Sequence, residues 1–387
     1  MLALRLTRGS HPLVLLRRLL VAAASAGVGF LLLSSLTHAL AHPGDSAASL
    51  QRLLWCALPL AATVHLAVVV ARTDPATRPR TGLSAVGLGP GRLAVLAAVS
   101  TAVAGTLGSA LALLFFLHLR GDLTGLPFDG AAAEPLASGR PLPTGAALIL
   151  LALVPFSTTL AAALALRPRG APAPAEAEAP EATAPPRPPG GLPWGCALTT
   201  AGLAVGTYAA HADRGVSLPL PGQFDGHPAG SLLGWALTAV GLALAGPALT
   251  HFCGRLLQAR RPGAARLLAG RILMEESRRI GRPLGVVCAV ASAVITVWTL
   301  HDTGPHPFGP LTGLGATLVI ACTAATLITS AVEARQSRSA ATENLRRLGA
   351  SAGALRLAAL LRVLALLLVL TPVTWAVATL AAVPLAR

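Results

Sequence analysis

Lysine is missing from this 387-residue chain: all thirty of its basic residues are arginine. A Walker A loop needs a lysine to reach the nucleotide phosphates. The chain therefore carries no such loop, and any ATP hydrolysis that serves it belongs to another polypeptide. Charge is also scarce, at 12% of residues against roughly 25% in soluble domains. The five cysteines, Cys56, Cys196, Cys253, Cys288 and Cys322, form no C-x-x-C pair. Most lie in apolar runs and read as small buried hydrophobes rather than zinc ligands or disulfides. With 54% hydrophobic residues and a mean hydropathy of +0.68, the composition is that of an all-α polytopic membrane protein. The net charge of +15 would suggest nucleic acid in a soluble chain. Here it follows from arginines beside apolar runs, so no nucleic-acid partner is expected.

A membrane span needs about 20 apolar residues. Nine stretches qualify: Leu19–Leu40, Leu53–Ala71, Leu93–Leu119, Thr144–Leu166, Leu192–Ala210, Ser231–Cys253, Leu284–Leu300, Leu311–Val332 and Leu355–Leu380. The fifth is the weakest, being short and beginning beside Pro193. With the N-terminus inside, every inner segment holds more arginines than any outer loop. The inner segment from Arg255 to Arg282 alone holds eight, while the outer loops hold at most two. The positive-inside rule thus predicts a cytoplasmic N-terminus and an extracytoplasmic C-terminus in a cell membrane. Ala39-Leu40-Ala41 resembles a signal-peptidase site, with cleavage after residue 41 as the competing reading of the first span. The nine spans contain no Asp or Glu, and their only arginines, Arg356 and Arg362, both lie near the inner end of the last one. That argues against an ion-coupled carrier, which needs ionisable groups at membrane depth.

The spans come in two sets. Leu83-x-x-Val86-Gly87-x-x-x-Gly91-x-Leu93 returns as Leu345-x-x-Leu348-Gly349-x-x-x-Gly353-x-Leu355. Each position in the second copy is the first plus 262, and the same offset carries Arg17 onto Arg279. Two parallel-repeat units follow. Residues 1–166 form a four-span unit and 167–191 a linker with eight prolines. Residues 192–253 are two inserted spans, and 254–387 a three-span unit. A linker so rich in Pro and Ala has no core to bury. In the second copy Leu345, Leu348, Ala352 and Leu355 recur as one helical face, with Glu343, Arg346 and Arg347 turned away from it. The expected element is an amphipathic helix on the inner membrane surface.

These two segments resemble the FtsX/MacB family of ABC-transporter permeases, in which a charged cytoplasmic stretch runs into L-x-x-L-G-A-s-x-x-x-L and then a span. Leu345, Leu348, Gly349, Ala350, Ser351 and Leu355 match that pattern well; Leu83, Val86, Gly87, Gly89 and Leu93 match it more loosely. The plan of two units around a central pair of spans resembles bacitracin-exporter-type permeases. The family's charged run is eroded here to Arg72, Asp74, Arg78 and Arg80 in the first copy, and to Glu333, Arg335, Arg338 and Glu343 in the second. The resemblance implies a permease subunit that exports or extracts an amphiphilic, lipid or peptide substrate. It implies no enzyme activity in this chain, no cofactor beyond ATP on the partner, and an ABC ATP-binding subunit as partner in a homo- or hetero-oligomer. The residues it nominates for coupling are Leu83, Val86, Gly87, Gly91, Leu93, Glu343, Leu345, Arg346, Arg347, Leu348, Gly349 and Leu355. The alternative is a degenerate permease that regulates or scaffolds a membrane complex.

Outer histidines (His38, His42, His211, His227, His301 and His306) and acids (Asp122, Asp129, Glu134, Asp213, Asp225 and Asp302) follow no metal-ligand spacing. They read as solvated loop residues.

Overall fold

The computed structural model describes residues 12–74, 90–123, 130–134, 136–167, 190–211, 217–218, 227–259, 263–301 and 310–382. These form an all-α membrane architecture. In chain order the helices are Pro12–Ala41 (α1), Ser46–Trp55 (α2), Ala57–Thr73 (α3), Pro90–Arg120 (α4), Thr144–Leu166 (α5), Leu192–His211 (α6), Ala229–Gln258 (α7), Ala264–His301 (α8), Pro310–Ser337 (α9), Ser339–Arg347 (α10) and Ala352–Ala382 (α11). One two-residue antiparallel pairing, Ser217–Leu218 (β1) with His227–Pro228 (β2), precedes α7. Three of the long helices, α1, α4 and α9, open on proline. Proline suits a first helical position, where the missing N–H would have had no partner. Inside lipid a helix satisfies its own backbone, which is why long apolar runs become helices there.

Among the described residues, eight helical stretches are long and apolar enough to cross a membrane. Leu192–Ala210 does form a helix, α6, but glycines, threonines and Pro193 dilute it, and it is not among those eight. The helices turn large apolar side chains outward: Ile149, Phe156, Leu360 and Leu368 are all exposed. In a bilayer these meet acyl chains. Trp194, Tyr208 and Trp298, exposed near the ends of their helices, sit where amphipathic rings favour the headgroup region.

The chain divides into two compact units, residues 1–175 with 308–329 and residues 176–307 with 330–387. In the first unit α1 packs on α4. Phe30 and Phe116 meet edge to face with ring centroids 6.0 Å apart, and Gly29 leaves room for Ala112. The Ser109 hydroxyl on α4 donates to the Leu151 carbonyl of α5 at 3.0 Å. Thr63 of α3 lies 3.7 Å, oxygen to sulfur, from Cys322 of α9. In the second unit glycines let backbones touch. Gly202 and Gly206 of α6 face Gly234 of α7, while Gly246 and Gly254 of α7 face Gly281, Gly285 and Gly270 of α8. Such small-residue seams suit helix association in lipid, where no hydrophobic force drives helices together. The Thr296 hydroxyl of α8 donates to the Ala378 carbonyl of α11 at 3.1 Å.

The 262-residue offset reappears in the helix boundaries. Adding it to Pro90 and Arg120, the bounds of α4, gives 352 and 382, the bounds of α11. Subtracting it from Thr296 and Ala378 gives 34 and 116. Phe116 in the first unit shares an apolar cluster with Leu33 and Phe30, next to position 34.

The turn after α4 is built on a buried charge. Arg120 is 3% exposed. Its guanidinium donates to the carbonyls of Ala137 (3.3 Å) and Arg140, and lies 3.6 Å from the Asp122 carboxylate. Charge-assisted bonds of this kind contribute about 1.5–3 kcal/mol each. Arg120→Met should keep the helix and free the turn, and limited proteolysis within residues 136–143 is expected to speed up without loss of the helical signal.

Candidate functional site at the arginine-rich elbow

At about 1.5 Å per residue, the 38 residues of α8 outrun the ~30 Å hydrocarbon layer. Its apolar part is Leu284–Leu300, so Arg271, Glu275, Glu276, Arg278, Arg279 and Arg282 lie on an extension beyond it. The junction α9–α10–α11 belongs to the same arginine-rich end. Here α10 is a short, strongly charged helix, and none of its described side chains is buried. Thr342 and Leu345 are half-buried, while Glu343, Arg346 and Arg347 are exposed. Glu343 and Arg347 form an i, i+4 pair at 3.5 Å. That exposure makes it worth only a few tenths of a kcal/mol.

The L-G-A-S core of the second motif has a definite mechanical role. The Gly349 N–H donates to the Arg346 carbonyl and the Ala350 N–H to the Leu345 carbonyl, both at 3.0 Å. Gly349 has φ +93°. This is a Schellman stop, which places a left-handed residue just past the helix and favours glycine there. Two residues on, the Ser351 hydroxyl accepts the Ala354 N–H at 3.2 Å, an N-cap that starts α11. Four residues thus end one helix and begin the next. Leu348 projects at the corner, 85% exposed.

This corrects the expectation of one continuous apolar face. Leu345 lies in α10, Leu348 at the corner, and Ala352 and Leu355 in α11, because the Schellman stop interrupts the helix between them. Gly353 makes no close approach, since a Cβ there would meet nothing within 4 Å. In the first copy Leu83, Val86 and Gly87 lie outside the described residues. Gly91 is exposed with open space around it, and Leu93 is buried. Pro90 opens α4 where Ala352 opens α11. Leu355, the counterpart of Leu93, is half-buried.

Each compact unit carries an ion pair with a shielded acid. In the first, Arg18 of α1 reaches Asp74 at the end of α3, at 3.0 Å, and the Arg17 guanidinium donates to the Thr73 carbonyl at 3.3 Å. In the second, Arg338, between α9 and α10, reaches Glu276 of α8 at 2.8 Å and donates from the same Nε to the Ala334 carbonyl at 2.9 Å. Asp74 and Glu276 are only 10% and 12% exposed. Sequence reasoning named Asp74 and Arg338 as parts of eroded charged runs but gave neither a partner, and it missed Glu276. One signal was available: Glu275 and Glu276 are the only acids between Asp225 and Asp302.

At the arginine-poor end of α1, the rings of His38 and His42 lie 4.4 Å apart. His211 is bonded to the Thr207 carbonyl of its own helix at 2.7 Å. His227 falls in β2 and His301 closes α8. Asp122 and Glu134 border the Arg120 turn; His306, Asp129, Asp213, Asp225 and Asp302 lie outside the described residues. Among the described residues no three His, Cys, Asp or Glu side chains converge on a common point. Four cysteines are buried and Cys196 is exposed, all of them free.

No family model matches the chain, and no curated protein or solved structure shows significant similarity to it.

Proposed function

We propose that this chain is the membrane-embedded permease subunit of an ABC-type transporter, FtsX/MacB-like in plan and moved by a separate ATP-binding subunit. The observation that carries the reading is the α9–α10–α11 elbow. A basic, solvent-facing helix is joined at both ends to long apolar helices, and a glycine stop and a serine start fix its angle to α11. A partner that pushes on α10 would tilt α11 rather than bend a loop, because the corner has no slack residues. In this reading the arginine-rich ends face the cytoplasm, and the two sets of helices related by 262 residues rock against each other. The substrate is amphiphilic, a lipid or a peptide, since the apolar stretches offer no acidic group to a hydrophilic one.

Charge reversal tests it directly. Arg346→Glu with Arg347→Glu is expected to weaken co-purification of the ATPase at least about tenfold, the scale of losing two charge-assisted contacts, with membrane insertion intact. Unchanged association would sink the proposal. Recovery of the intact wild-type chain with no ATPase at all would favour a regulatory or scaffolding membrane protein instead.

A further inference from the structure

We infer that Glu276 and Arg338 form a latch that couples α10 to α8, so that movement of α10 is delivered to two spanning helices at once. Arg338 is the residue just before α10. Its Nε binds backward to Ala334, in the last turn of α9, and sideways to Glu276 on α8. The other end of α10 is locked to α11 by the Gly349–Ser351 corner. With no described side chain of α10 buried, its position is set by these two ends rather than by packing along its length. The Glu276 side chain is 12% exposed and that of Arg338 26%, so the pair is shielded from solvent, in contrast to the open Glu343–Arg347 pair. Shielding strengthens a charge pair and makes an unpaired survivor costly. Low exposure also keeps the pair from being screened away by salt.

The first unit supplies independent support. Arg18 and Asp74 tie the same two elements, the foot of the first long helix and the end of the second. Adding 262 to 18 and 74 gives 280 and 336, four and two residues from Glu276 and Arg338. The link recurs within about one helical turn, with its charges exchanged.

The role assigned to the latch within a transport cycle rests on the permease reading; the latch itself does not. Hydrogen exchange of the full chain in phosphatidylethanolamine–phosphatidylglycerol nanodiscs tests it without any partner. In Glu276→Ala and in Arg338→Ala, the amides of residues 339–347 should exchange at least about tenfold faster than in the wild type, as expected for loss of one shielded charge partner. The exchanged pair, Glu276→Arg with Arg338→Glu, should return them toward the wild-type rate. That outcome separates a lost link from a misfolded chain. Unchanged exchange in both single variants, or no recovery in the exchanged pair, overturns the inference. Where the wild type binds an ATPase, the single variants should still bind it but lose most of its stimulation. If no ATPase binds the wild type, the permease reading falls while the exchange result still decides the latch.

Discussion

Gly281→Leu should take the α7–α8 pair apart. A Cβ at Gly281 would run into the Pro247 backbone and lie 2.9 Å from the Gly246 carbonyl oxygen; one at Gly246 would strike the Gly281 carbonyl. The obstacle is backbone on both sides, so no rotamer change relieves it. Overpacking a core costs about 1–3 kcal/mol when side chains can yield, and here they cannot. Helix association in lipid depends on such close packing, and Gly246 and Gly281 meet in the middle of a seam that continues to Gly254–Gly270. The expected result is loss of the monodisperse detergent-solubilised protein and a lower melting temperature. Gly263→Leu is the control, because a Cβ there meets nothing within 4 Å. Equal stability of the two variants would mean that the seam is not as close as the structure has it.

Gly349→Ala and Gly353→Ala should move in opposite directions, although both glycines belong to one motif. At φ +93°, Gly349 occupies a conformation that costs an L-residue about 1–2 kcal/mol. The cost falls on the Schellman stop, and the last turn of α10 should fray. A five- to thirtyfold rise in local opening is the corresponding scale, read by hydrogen exchange at the Leu348, Gly349 and Ala350 amides. Gly353 lies in the first turn of α11 in open space. Alanine there has up to about 1 kcal/mol better helix propensity, and the start of α11 should become more protected. Under the permease proposal, Gly349→Ala should also weaken transport while Gly353→Ala does not, which would make the corner angle the functional quantity. Equal effects would refute the division of roles.

These two contrasts also mark where the sequence stops being legible. Helices such as α4 and α11 could be read from apolar length alone, because lipid leaves a long apolar run little alternative. The α6 stretch was read as a span on length, but the glycines that dilute it serve the seam with α7. That seam needed both partners in view: a glycine in one helix has meaning only opposite a glycine in the next. The repeated leucine–glycine motif was legible as a pattern, and its helical period was extended one turn too far. A period of 3.6 continues on paper through Gly349, whereas the backbone turns left-handed there. The ion pairs were out of reach for another reason. Arg338 and Glu276 are separated by 62 residues, and nothing local to either specifies the other.

The exchanged polarity of those two pairs bears on how the chain assembles. The two pairs sit close to equivalent positions under the 262-residue offset, which makes an exchange of partners the mispairing to consider. Were the foot of α1 to meet the end of α9, Arg18 would face Arg338; were the foot of α8 to meet the end of α3, Glu276 would face Asp74. Both errors bring like charges together, and both correct pairings bring opposites. The two pairs therefore cannot trade partners without placing like charges together, which makes each charge specific to its own partner.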